Sequence, residues 1–419
     1  MKPAIAGLTT DVARLKLAPL PPLRIDPAAG LTPLAVADLA VLNNPDLRAR
    51  RVALGVAAAQ VFAAGILPDP QLTPSFDQPY AGPDRYTAFG FQPSYDLASL
   101  IQLADAEAAA RFTARQGNLD ELWAEWTTAQ QARQLAETAL ANETRAALLR
   151  RILVVAADRS ARSQQAAARG DSTAAAAAAD LAADLDLEAQ VAAAEDAAAK
   201  ARRDLNALVG LTPDVRLPLV EDVAPRGYNR RAIARDLASL PSRRPDLLAL
   251  QAGYAAQDAT LRKAILAEFP LAQIAFNIAR DTTPTASLGL SAVMAVPIFN
   301  QARGAVRVAE ATRAQLRAEY QARLDQAAAD VRDAEANLVR AEAEAARLRA
   351  ETPQLEAMLR PAPAARARGD IDSQTYLGLV QTVVSKEADL QDRELAARMA
   401  EIALETDLFA PPMQLGRSS

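Results

Sequence analysis

The chain has no cysteine and no histidine in 419 residues. Thiolate nucleophiles, disulfides, Cys/His zinc sites and every catalytic triad that depends on imidazole are thereby excluded together. A Gly-rich phosphate loop is also missing, so nucleotide-driven work by this chain is excluded. No enzymatic activity, cofactor or metal site is expected. Aromatic residues make up only 4% of the chain, which leaves too little bulky apolar volume for large globular cores. Long apolar runs are absent as well. Uncharged apolar runs such as 52–59, 174–179 and 292–299 fall far short of the roughly 20 residues that a membrane-spanning helix needs. Met1-Lys2-Pro3 is not followed by the apolar segment of a secretory signal, so no signal peptide is expected in the chain as it stands. The net charge of −5 argues against nucleic acid as a partner, because phosphate binding requires concentrated positive charge.

What is present is alanine, leucine, arginine and glutamate at 3.6-residue periodicity, the composition of long, closely packed helices in which small side chains let backbones approach. The arginines are interspersed with Asp and Glu and read as solvated faces and i,i+4 pairs. The carboxylates Asp180, Asp184, Asp186 and Glu188 read the same way. Trp123 and Trp126 share a helix face and read as a buried seam contact. The alanine run at 174–179 follows a cap-like Asp171-Ser172-Thr173 and reads as helix.

The chain also says one thing twice. Asn44-Pro45-Asp46-Leu47 returns two hundred positions later as Arg244-Pro245-Asp246-Leu247. Each copy continues with an amphipathic helix, a proline (Pro70, Pro270), two short alternating segments, a very long helical run and an Arg-Gly-Asp at 169–171 or 368–370. A repeat of this kind predicts units that cannot bury their apolar faces alone. The expected organisation is a Pro-rich N-terminal arm over 1–30, a first structural repeat over 31–229, a second over 230–410 and a tail over 411–419. Asn43-Asn44-Pro45 predicts a break within the first helix.

In the alternating segments the period changes from 3.6 to 2. Leu72, Pro74, Phe76 and Tyr80 share one face, as do Phe89, Phe91, Pro93 and Tyr95; Ile274, Phe276 and Ile278 do so in the second copy, followed by Leu288, Leu290, Met294 and Val296. The opposite faces carry Gln, Thr, Ser, Gly, Ala and Asn. Two hairpins with open edges need partners. The strands alone are compatible with a transmembrane β-barrel or with a small soluble β-subdomain that buries one face. The helical runs of roughly 70 residues, each about 100 Å if wholly helical, bear on that choice. Only two half-length helices placed end to end could back each of them. This puts the hairpins at one end of a long wall and the Arg-Gly-Asp turns at the other, with the connector 211–229 near the middle.

This pattern resembles the TolC-like outer membrane efflux proteins, the outer membrane factors of tripartite pumps. The resemblance is carried by Asn43-Asn44-Pro45-Asp46-Leu47, Arg244-Pro245-Asp246-Leu247, Gly65-Ile66-Leu67-Pro68-Asp69-Pro70-Gln71-Leu72, Ser94-Tyr95-Asp96-Leu97, Val296-Pro297-Ile298-Phe299 and the two Gly-Asp turns. It implies a mainly α fold with a small β part: a homotrimer in which four strands per chain close a barrel in the outer membrane and a helical barrel extends into the periplasm. It further implies passive transport of small molecules or ions, driven by an inner membrane pump joined through a periplasmic adaptor. The residues that would meet the adaptor are Arg169, Gly170 and Asp171 at one tip and Arg368, Gly369 and Asp370 at the other. The aspartates that close the periplasmic end of well-known members fall here on Thr375 and Gly378. Asp372 is nearby and is either an aperture charge or a helix cap. Pro361 and Pro363 depart from the family's uninterrupted helix and predict a bend there. A non-pore helical scaffold and a periplasmic adaptor protein are the alternative readings.

Overall fold

A computed structural model describes residues 2, 4–11, 17, 20, 25, 30–83, 86–221, 229–269, 273–283, 285–294 and 303–411. Most of the Pro-rich arm, Pro225, Pro270, Val296-Pro297-Ile298-Phe299 and the tail from 412 lie outside the described residues. The first copy of the repeat runs α1 (Pro33–Asn43), α2 (Pro45–Gly65), β1 (Gln71–Asp77), β2 (Ala88–Asp96), α3 (Leu97–Arg169) and α4 (Ala174–Val209). The second runs α5 (Arg230–Ala238), α6 (Leu240–Arg243), α7 (Pro245–Leu266), β3 (Gln273–Arg280), β4 (Ala286–Val293), α8 (Arg303–Leu359), α9 (Ala362–Arg368) and α10 (Ser373–Leu408).

The expected breaks are where the prolines put them. Asn44 separates α1 from α2: its side chain accepts the Leu47 N–H at 2.9 Å and donates to the Leu208 carbonyl at 2.8 Å. Proline at the first helical position suits α2, since no donor is needed there. The long run of the second copy is interrupted at Arg360–Pro361, so α8 and α9 are separate helices, whereas Pro353 is accommodated inside α8. Proline lacks the N–H that would continue the ladder and clashes with the preceding turn.

The chain forms two compact units, each drawing on both copies. The first comprises Met1–Arg48, Leu122–Leu240 and Gln326–Ser419. Its interior is a set of helix seams in which alanines face leucines, valines and isoleucines. Val36, Leu39 and Ala40 of α1 meet Ala132 and Ala136 of α3 and Leu205 and Val209 of α4, together with Leu8, Leu31, Leu211 and Leu217. Farther along α3, Leu149, Ile152 and Ala156 pack with Leu187 and Val191 of α4 and with Leu377, Val380 and Val384 of α10. Trp126 is fully buried; its indole N–H donates to the Thr406 carbonyl at 3.1 Å and its ring meets Phe409 edge-on at 5.4 Å. The N-terminal segment is tied to the connector through parallel bridges of Lys2 with Leu211 and Leu31 with Leu219.

The reading of the arginines as solvated needs correction at two places. Arg133 is fully buried and ion-paired with Glu405, also fully buried. In the second unit Arg244 is 1% exposed and holds Asp246 through two bonds of 2.9 and 2.8 Å. Elsewhere the arginines do reach solvent, but many bridge different helices (Arg145 to Asp392, Arg202 to Glu143, Arg349 to Glu394) instead of pairing along one.

The second unit comprises Ala49–Glu121 and Pro241–Asp325. It holds a four-stranded antiparallel sheet in the order β1-β2-β3-β4, so the two hairpins are joined through β2 and β3 into one sheet. Its helices approach closely through small residues: a β-carbon on Gly253 of α7 would come within 2.8 Å of Gln116 on α3.

Candidate functional site

The sheet has two chemically distinct faces, fixed by alternation and register. Phe76 lies opposite Phe89, Pro74 opposite Phe91, and Leu72 opposite Pro93. Phe91 in turn lies opposite Ile278 and Tyr95 opposite Ile274, and Ile278 and Phe276 lie opposite Leu288 and Leu290. One face is therefore aromatic and aliphatic across all four strands, with Arg280 at its end opposite Phe89. It is open: Phe76 is 72% exposed, Leu288 79% and Leu290 70%. The other face is knit by side-chain hydrogen bonds. Gln273 donates to Ser94 at 3.0 Å and to Gln71 at 3.4 Å, and Ser291 accepts from Gln92 at 3.4 Å and from Asn277 at 3.3 Å. Gly90 leaves room for the Ser75 hydroxyl, which a β-carbon there would meet at 2.3 Å. Among the described residues β1 and β4 each pair on one side only, leaving two open edges.

In the first unit the two Arg-Gly-Asp sequences form the same turn. α3 ends at Arg169, and Gly170 follows with φ +82°; α9 ends at Arg368, and Gly369 follows with φ +81°. The left-handed backbone lets the last carbonyls be used. Gly170 N–H donates to Ala167 O and Asp171 N–H to Ala166 O, at 3.1 and 2.9 Å; Gly369 and Asp370 donate to Arg366 and Ala365 at 3.1 and 2.8 Å. Both are the paired C-terminal bonds that glycine favours. Each aspartate then pairs with the arginine two residues earlier, Asp171 with Arg169 at 3.2 Å and Asp370 with Arg368 at 2.8 Å.

The next helices start on side-chain caps. Thr173 accepts the Ala176 N–H at 3.1 Å to open α4, and Asp372 accepts the Thr375 N–H at 2.7 Å to open α10. That bond holds the Asp372 carboxyl below its ordinary range. Asp372 is thus a cap, one of the two roles its position offered, while Thr375 and Gly378 are exposed on the first turns of α10.

Sequence reasoning missed the residues that hold these tips in place. Arg366 of α9 donates to Asp158 of α3 and lies 5.1 Å over the Tyr376 ring of α10, while Arg159 pairs with Asp180 of α4 at 2.7 Å. The hydrogen bond from Arg366, joined by Arg162, draws the Asp158 carboxyl down. Burial pushes Asp180 up, but Arg159 and Ser163 outweigh it and the net shift is downward. The positive charge of Arg159 also draws the Asp372 carboxyl down, to a smaller extent than its bonds to Thr375. Asp158 and Arg366 are 208 residues apart, and no local spacing announces such a pair.

No known family profile and no curated protein sequence matches the chain. Solved structures do. The outer membrane channel OprN is 16% identical, with 96% of each chain covered and a TM-score of 0.73. The Campylobacter jejuni CmeC outer membrane channel is 16% identical over 91% of this chain and 86% of its own, with a TM-score of 0.72. The Neisseria gonorrhoeae MtrE outer membrane channel, in its open state, is 16% identical over 92% and 90%, with a TM-score of 0.69. By these likenesses the chain has the fold of the TolC-like outer membrane channels.

Proposed function

We propose that the chain is one subunit of an outer membrane exit duct serving a tripartite efflux or type I secretion system. The observation that carries this reading is the sheet: an exposed apolar face, a hydrogen-bonded polar face and two unpaired edges. Unpaired backbone is not tolerated in lipid, so a sheet that enters a membrane must close on itself or on copies of itself. Three copies would give a twelve-stranded barrel with lipid outside and a polar lumen inside, and the helices would extend into the periplasm. The tips at Arg169, Gly170, Asp171 and Arg368, Gly369, Asp370 would meet a periplasmic adaptor, and an inner membrane pump would supply the energy, making passage through the duct itself passive. The aperture would narrow near Asp372 and Thr375. Because the Asp372 carboxylate already caps α10, closure there would rest on the Arg366–Asp158 and Arg159–Asp180 contacts more than on a ring of free acids. A non-pore scaffold would leave the apolar face of the sheet in water, a liability for a soluble protein.

The reading is tested by single-channel recording in planar lipid bilayers. Discrete conductance steps are expected, with cation selectivity raised in Asn277→Asp, since Asn277 lies on the polar face. Absence of steps, or steps whose selectivity ignores that face, would count against the duct.

A further inference from the structure

Between α7 and α8 in the second unit lies a pocket of about 250 Å³ lined by Leu250, Gln251, Tyr254, Leu316, Arg317 and Tyr320. An apolar cavity of about 150 Å³ suffices for benzene, so this pocket has room for one aromatic ring and a small polar substituent. Its walls are two leucines and two phenol rings. Its polar groups are mainly donors. Tyr254 receives the Arg313 Nε–H at 2.7 Å and Tyr320 receives an amide N–H of Gln251 at 3.2 Å, so each hydroxyl keeps its own proton to give. The second amide bond of Gln251 goes to the Pro241 carbonyl at 3.0 Å. Arg317 adds a guanidinium, with five N–H donors and no acceptor. No carboxylate is among the lining residues, and the only charged side chain there is the exposed Arg317 guanidinium.

We propose that this α7–α8 pocket is a binding site for small aromatic carboxylates, the ring held between the leucines and phenols and the carboxylate held by Arg317 with the Tyr254 and Tyr320 hydroxyls. The site belongs to the second unit alone and does not rest on the duct reading. Its failure would leave that reading untouched.

The probe is benzoate, measured by ligand-observed saturation-transfer NMR on the full-length protein in a non-ionic detergent. The expected result is saturable binding that weakens about tenfold or more for benzamide, which lacks the charge, and for Arg317→Gln, since charge-assisted hydrogen bonds are the strong ones. Leu316→Trp, which fills the pocket, should abolish binding. Because Arg317 is exposed, its substitution should leave the helical circular dichroism unchanged, separating lost binding from lost folding. No saturable binding, as expected if another copy of the chain fills the groove, would overturn the proposal, as would equal binding by both variants.

Discussion

The Arg133–Glu405 pair gives the sharpest energetic test of the first unit. Both side chains are fully buried, and Arg133 also donates to Gln130 Oε1 at 2.7 Å. Arg133 Nε and Nη2 and Gln130 Nε2 nevertheless find no acceptor among the described residues. The pair is therefore buried between α3 and α10 without full satisfaction of its donors. Replacing Glu405 by Gln strands a guanidinium in that seam, and breaking a buried pair in this way costs about 3–5 kcal/mol. Replacing both partners by apolar residues, Arg133→Met with Glu405→Leu, removes two desolvation penalties together with the attraction, and exchanges of this kind range from about neutral to 1–4 kcal/mol stabilising. The assay is urea unfolding followed by tryptophan fluorescence. Both tryptophans of the chain, Trp123 and Trp126, lie on the α3 segment of this unit, and Trp126 bonds to Thr406, next to Glu405 in sequence. A single mutant that loses less than about 1 kcal/mol, or a double mutant as weak as the single, would refute the assignment of Arg133 as a charge dependent on its partner.

At the tips, Gly170→Ala and Gly369→Ala should each cost about 1–2 kcal/mol, the penalty of a left-handed residue with a β-carbon. A β-carbon at either position meets nothing within 4 Å, so Asn should restore much of the loss, which thermal unfolding would read. Asp246 is driven up by burial but down by Arg244 and then Arg323, and the net shift is downward. Its contribution is therefore complete above the unfolded carboxylate pKa of about 3.9 and is lost as pH falls through the lower folded value. The acid limb of the thermal stability profile should shrink in Asp246→Asn. On the sheet, Leu290→Lys should deplete the protein from the outer membrane fraction, since Lys on a lipid face costs about 2–4 kcal/mol at mid-bilayer. Ser287→Lys, on the opposite face, should not.

Much of this architecture is legible from the chain because its signals are local. Alternation over 71–80 and 287–296 specifies which side chains share a face, although the strands themselves span Gln71–Asp77 and Ala286–Val293, and Asn44, Gly170 and Gly369 stop or cap helices within four residues of themselves. The break at Arg360–Pro361 follows from the chemistry of one residue. What was not legible depends on partners far away in sequence. Arg133 looks like any helical arginine until Glu405 arrives from α10. Asp158 and Arg366 look like solvated charges until α3 and α9 meet. The pairing of β2 with β3 joins segments about 180 residues apart, Ser94 with Ala275 for example, and neither hairpin alone encodes it. The two Pro-Asp-Leu copies also diverge in a way that spacing hides: Asn44 caps its helix, whereas Arg244 spends its side chain on Asp246.

On the reading proposed above, the open, two-faced sheet of this chain is completed by further copies of itself in lipid. Light scattering in mild detergent, with the detergent contribution subtracted and on protein prepared with a functional export signal, decides whether it is. A protein mass near three chains of 44.4 kDa is the result expected. A monomer or dimer that needs no detergent to stay in solution would contradict it.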